Sequence, residues 1–187
     1  LPIRLVGLDL DGTVFDSQKR ISPRTAQAIA RACAMGVQVL PATGRPENGV
    51  PAQLLAIPGV RYALTSNGAR VVDLQEKRTV VSQLMTVQQG LEAVRAMGRY
   101  DASVDVFWQG KAYADPENLR RAVENADPAM RPYIKDSRTV VPDMAAWLAE
   151  QSEGPEKISM FFAQVSQREE AQKQAEETVN DAQAKAT

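Results

Sequence analysis

At 187 residues the chain can hold one domain with a substantial core or two small ones. Its 22 Lys and Arg nearly balance 23 Asp and Glu, so no net field points to nucleic acid or an anionic membrane. The absence of histidine excludes Ser-His-Asp and Cys-His catalysis and His-ligated zinc, leaving carboxylates, hydroxyls, amines and the backbone to carry any chemistry.

In chain order, the mostly apolar run Ile3 to Leu8 reads as a buried parallel strand that delivers Asp9 and Asp11 into a loop. Side chains alternate along a strand, so the two acids leave it on the same side, and Gly12 lets the backbone turn. Asp16 reads as a turn residue or a salt-bridge partner. Ser22-Pro23 has the form of an N-cap followed by proline at the first helical position, opening a helix to about Met35 with the apolar stripe Ala26, Ile29, Ala30 and Cys33. Cys33, the one cysteine, reads as core filler; it excludes an internal disulfide framework and fits a reducing cytoplasm.

Gly36 stops that helix, and Val37 to Leu40 is a second strand ending in the polar loop Pro41 to Pro46. A helical passage over Glu47 to Ile57, weakened by Gly49 and Pro51, leads to a third strand, Val60 to Leu64, closed by Thr65-Ser66-Asn67-Gly68. Asn67-Gly68 is equally a turn signal, since both residues tolerate positive φ. Right-handed crossovers put the C-terminal ends of parallel strands on one edge, so the loops at Asp9, Thr43 and Asn67 are expected to converge there.

Beyond Ala69 the sequence predicts a hairpin of Arg70–Asp73 and Arg78–Val81, a helix over Val87–Met97, strands Ser103–Trp108 and Lys111–Tyr113, a helix from Asp143 to Glu150, and a strand Lys157–Phe162. Residues 115–142 give no clear pattern. Gln167 to about Ala184 reads as an exposed helix with a frayed end. Phe107, Trp108 and Tyr113 read either as core or as the wall of a sugar pocket. No apolar run approaches the ~20 residues that span a bilayer, and no basic and hydrophobic leader opens the chain, so a soluble, cytoplasmic protein is expected.

Asp9-Leu10-Asp11-Gly12-Thr13 resembles the first motif of the haloacid dehalogenase superfamily of phosphohydrolases. Thr43-Gly44-Arg45-Pro46, Thr65-Ser66-Asn67-Gly68-Ala69 and the helix start Ile21-Ser22-Pro23-Arg24-Thr25 resemble its Cof-type sugar-phosphatase branch. The resemblance implies an α/β fold, with a partial Rossmann-like parallel-sheet core over residues 1–82 and an inserted α+β cap over 83–187. It implies Mg²⁺-dependent hydrolysis of a small phosphomonoester, a sugar phosphate by expectation, through an aspartyl-phosphate. Asp9 is then the nucleophile and a metal ligand, and Asp11 the acid/base and a metal ligand through its carbonyl. Leu10, Thr43 and Gly44 would hold the phosphoryl group. Arg45 reads as a substrate contact or as the partner of an acid, and Asn67 as a substrate contact or a turn.

Two superfamily parts, a lysine supporting the phosphoryl charge and a later acidic loop, have no counterpart after the cap. Lys157 reads instead as a solvated charge opening a cap strand. The chain, which starts at Leu1, is therefore expected to be a trimmed or incomplete phosphatase of low activity, or one that pairs with another copy along an exposed apolar edge at Ile3–Leu8. A phosphomutase and a non-catalytic binding fragment are the alternative readings.

Overall fold

The computed structural model describes residues 2–174. Strands β1 (Leu5–Leu8) and β2 (Gln38–Pro41) pair in parallel, with Leu8 opposite Pro41. Helix α1 (Pro23–Ala34) connects them, and the Ser22 hydroxyl accepts the Thr25 amide at 3.1 Å, as the Ser-Pro start predicts. Cys33 packs partly buried against the core, beside Ala26, Ile29 and Ala30. The helix expected over Glu47–Ile57 is instead a 3₁₀ turn, Glu47–Gly49, and a single turn of helix, α2 (Ala52–Leu55). Pro51 is extended between them and divides the segment.

Strand β3 (Tyr62–Thr65) adjoins β2 in parallel through one bridge, Ala42 to Leu64. Strands β4 (Arg70–Asp73) and β5 (Arg78–Ser82) continue the layer antiparallel, as the hairpin pattern predicts. Ile29, Val39, Leu54, Val60, Ala63 and Val72 fill the core on this layer, together with the fully buried Leu10. The outer edge of β1 meets no strand among the described residues, and Ile3 and Leu5 are 71% and 61% exposed.

The second layer begins with α3 (Val87–Met97), whose start is a capping box between Thr86 and Gln89. Strands β6 (Ala102–Trp108) and β7 (Lys111–Ala114) form the predicted hairpin. The segment without a sequence pattern folds as α4 (Pro116–Asn125), α5 (Arg131–Ser137) and β8 (Arg138–Val140). Asp143 then caps α6 (Met144–Ala149), and β9 (Lys157–Phe162) pairs with β6 to complete the order β8-β7-β6-β9.

Trp108, Tyr113 and Trp147 pack on one another beside Val106 and Met144, and Phe107 is 4% exposed; these aromatics are core and do not line a sugar pocket. Residues 165–174 are helical, and the remainder of the predicted final helix lies outside the described residues. No helix among the described residues is long and apolar enough to cross a membrane.

The two layers touch. The Asn48 amide donates to the Gly110 carbonyl at 2.9 Å. Glu156, buried on the second layer, accepts the Ser66 hydroxyl and the Gly110 amide, each at 2.6 Å. It also lies 3.0 Å from Arg70 Nε, an ion pair without hydrogen-bond alignment.

Candidate active site

The acidic loop is held by its apolar members. Leu10, Val14 and Phe15 are buried, and a wide turn closes when the Phe15 amide donates to the Leu10 carbonyl at 3.0 Å. Gly12 sits in this turn at φ +86°, a conformation that favours glycine. With the greasy side chains turned inward, Asp9, Asp11 and Thr13 are left exposed beyond the end of β1.

The two acids have different surroundings. Asp9 has no cationic partner among the described residues; its one side-chain contact is a long one, from the Thr13 hydroxyl at 3.4 Å. Asp11 is gripped. Arg45 donates to it through Nε at 2.9 Å and Nη2 at 2.8 Å, and Lys19 adds a third bond at 2.8 Å. The Arg45 bonds, reinforced by Lys19, hold the Asp11 carboxyl below its usual range despite partial burial. The Arg45 guanidinium is itself held between the rings of Phe15, 5.5 Å away, and Tyr133 of α5, 4.6 Å away. Of the two readings for Arg45, this arrangement is the acid's partner. Asp16 is the expected turn residue, accepting the Gln18 and Arg20 amides and pairing with the Arg20 side chain.

The second and third loops are stitched together. Thr43 donates its amide to the Leu64 carbonyl at 2.9 Å and receives the Asn67 amide on its own carbonyl at 3.1 Å, while Ser66 donates to the Arg45 carbonyl at 2.9 Å. Thr43 is only 4% exposed, and its Oγ1 accepts the Arg45 amide at 3.2 Å. The Gly44 amide donates to no protein acceptor among the described residues. Asn67 takes the turn conformation, φ +58°, yet its side chain also lies against the loop: a Cβ at Gly44 would stand 2.6 Å from Asn67 Oδ1.

Thr43, Gly44 and Asn67 thus form one unit, and Asp11 and Arg45 another. Asp9 shares the sheet edge with both, because Leu8 is in register with Pro41. The Leu10 side chain is an anchor in the core. A cleft of about 550 Å³ opens beside Arg45, lined also by Asn48, Gly49, Tyr133 and Asp136.

One residue departs from its sequence reading. Lys157 is not a solvated charge: its Nζ donates to the Gly44 carbonyl at 3.0 Å and lies 4.9 Å from the centre of the Phe107 ring. Burial, and then the Arg138 charge, pull its amine below the usual range, with Asp105 opposing. Glu156 was missed as well. No local pattern marks either contact, because each joins residues about a hundred positions apart in different layers.

For a metal, the loop offers hard oxygen donors: the Asp9 carboxylate, free of cations among the described residues, and the carbonyls and carboxylate near Asp11. That chemistry suits Mg²⁺, which keeps several waters and needs few protein ligands. No cluster of three or more candidate ligand side chains occurs among the described residues.

Residues 6–186 match the family described as haloacid dehalogenase-like hydrolases. A candidate phosphatase of Streptococcus pyogenes is 38% identical over 95 residues, which is 49% of this chain and 35% of that protein. The pyridoxal phosphate phosphatase YbhA of Escherichia coli is 28% identical over 52% of this chain and 36% of its own length. The chain thus spans about a third of the length of these curated relatives. Among solved structures, a haloacid dehalogenase-like hydrolase from Bacillus subtilis superposes with a TM-score of 0.64 at 19% identity, over 82% of this chain and 59% of that one. The sugar phosphatase BT4131 does so with a TM-score of 0.57 at 15% identity, over 79% and 55%.

Proposed function

The chain belongs to the haloacid dehalogenase-like hydrolase family, and we propose that it supplies the nucleophile half of a Mg²⁺-dependent phosphomonoester hydrolase, with residues 1–82 as core and 83–187 as cap. The observation that carries this reading is the contrast within one loop. Asp9 is an exposed carboxylate with no cation on it among the described residues, whereas Asp11, two residues on, is fixed by Arg45 and Lys19.

An unpaired carboxylate is the better nucleophile. In the first step an Asp9 oxygen bonds to phosphorus while the bond to the ester oxygen breaks, and the departing oxygen takes a proton from Asp11 in its acid form. In the second, water attacks the aspartyl-phosphate, the bond from phosphorus to Asp9 breaks, and Asp11 receives the water's proton. The lowered pKa keeps Asp11 ionised at the start of the second step but makes it a weaker base. The first needs the grip of Arg45 and Lys19 to slacken when a phosphate dianion competes for them. The Gly44 amide and the Thr43 hydroxyl are the donors available to the transferring oxygens. Bound at Asp9 and the Asp11 carbonyl, Mg²⁺ would neutralise charge between the carboxylates and the phosphate.

The leaving group is a small metabolite. The Escherichia coli relative is named for pyridoxal phosphate and one structural neighbour for sugar phosphates; we favour a sugar phosphate. The test is release of inorganic phosphate from sugar phosphates by this chain with MgCl₂, against its Asp9→Asn variant. Slow release that falls at least about a thousandfold in the variant is expected. Undiminished release would overturn the nucleophile assignment. An isomerised sugar phosphate without free phosphate would make the protein a phosphomutase.

A further inference from the structure

We propose that Lys157 is a positioning residue for the phosphate-binding loop, acting on the Thr43 hydroxyl through the peptide unit between Gly44 and Arg45. The inference rests on the reading of Thr43 and Gly44 as phosphoryl donors. It starts from the two ends of that single peptide. Its carbonyl, on Gly44, accepts the Lys157 ammonium at 3.0 Å, and its N–H, on Arg45, donates to Thr43 Oγ1 at 3.2 Å.

A cation on the carbonyl polarises the peptide and makes its N–H a stronger donor, so the bonds form a cooperative chain. The chain ends on a hydroxyl that has been given a donor to accept from. With an Oγ1 lone pair committed to Arg45, the Thr43 proton is directed away from the loop, where it can donate to an incoming phosphoryl oxygen. The Thr43 backbone cannot make this adjustment itself, since its amide and carbonyl are fixed to Leu64 and Asn67. Only the hydroxyl is left to be set, and Lys157 sits at the far end of the unit that sets it.

The lysine is built in. It opens β9 opposite Phe107, and its stem carries the ammonium to 4.9 Å from that ring. The preceding residue, Glu156, is fixed by Ser66, Gly110 and Arg70. Glu156 and Lys157 therefore grip the third and second loops in turn. Among the described residues no carboxylate lies within ion-pair distance of Lys157, so a local salt bridge does not account for its position.

The experiment titrates inorganic phosphate into the full chain in the presence of MgCl₂, followed by amide NMR shifts, for wild type, Lys157→Met, Lys157→Arg, Thr43→Val and the double variant Lys157→Met/Thr43→Val. Thermal midpoints of each variant establish that it is folded. If Lys157→Met does not fold, Lys157→Gln takes its place.

Lys157→Met and Thr43→Val are each expected to weaken phosphate binding about 3- to 10-fold, as for loss of one hydrogen bond. Lys157→Arg should restore most of the loss. The double variant should bind within about twofold of Thr43→Val alone, because the lysine's effect passes through the hydroxyl. Losses that multiply in the double variant, or unchanged binding in Lys157→Met, would overturn the proposal while leaving the phosphate site standing. Undiminished binding in Thr43→Val, or none by wild type, would instead overturn the phosphate site and the proposal with it.

Discussion

Two arginine–aspartate pairs flank the ring of Tyr133, and they behave oppositely. On the core side Arg45 lies 4.6 Å from the ring and holds Asp11; on the other layer Arg138 lies 5.5 Å from it and holds Asp105 at 3.0 and 2.7 Å. The chemistry is the same, but the surroundings are not. The Asp11 side chain is 38% exposed, and that of Asp105 is fully buried, with one oxygen lacking a hydrogen-bond partner among the described residues. Hydrogen bonds from Arg45 and Lys19 outweigh desolvation at Asp11 and lower its pKa, whereas burial outweighs Arg138 at Asp105 and raises it. A wet pair keeps a charge available for chemistry; a dry one spends its attraction on staying charged at all.

The sharpest way to break the comparison is to remove one cation. Arg138→Met leaves the buried Asp105 without its ion-pair partner and should cost about 3–5 kcal/mol in urea unfolding. Adding Asp105→Leu in the same chain should recover most of it, because an apolar pair of similar volume avoids the desolvation. Asp11→Asn, on the exposed side, should change stability by less than about 1 kcal/mol. Equal losses at the two sites would mean that exposure does not decide what these pairs do.

The exposed pair was within reach of the sequence and the buried one was not. Asp11 and Arg45 lie in loops that follow two apolar strands, so the parallel-sheet pattern alone brings them to one edge. Ser22-Pro23 and Asp143 announced their helices by local capping chemistry, and the structure keeps both. Asp115-Pro116 carries the same signal as Ser22-Pro23, and Asp115 does cap α4, so part of the unread segment was legible after all. Arg138 sits on a three-residue strand just after α5, where no period can establish itself. Lys157 was misread for a related reason. A charge at a strand start is solvated by default, and only the packing of one layer on the other brings Gly44 beneath it.

A carboxyl ¹³C titration sharpens the same contrast at intermediate scale. Asp11 should titrate below the usual value of about 3.9 and Asp105 above it. The sign of each follows by linkage. The contribution of Asp11 to stability is present above its unfolded pKa and is lost as pH falls through the lowered folded value. That of Asp105 is complete below its unfolded pKa and is lost as pH rises through the raised folded value. Arg45→Gln should move Asp11 back up towards the ordinary range and leave Asp105 in place. An Asp11 unmoved by that substitution would show that Lys19, not the bidentate arginine, holds it.

Lys19 provides the smallest and most discriminating case. Its bond to Asp11 is as short as that of Arg45 Nη2, 2.8 Å, but its side chain is 44% exposed against 13% for Arg45. An ammonium on a flexible stem in water gains little from one contact and loses rotamer freedom in making it. Lys19→Ala should therefore alter stability by no more than about 0.5 kcal/mol, and the difference should shrink further as salt is raised from ~0.01 to ~0.5 M, where screening shortens to a few ångströms. A loss well above 1 kcal/mol that persists in high salt would show the Asp11 loop to be as dry as the site of Asp105, and the distinction between the two pairs would fail.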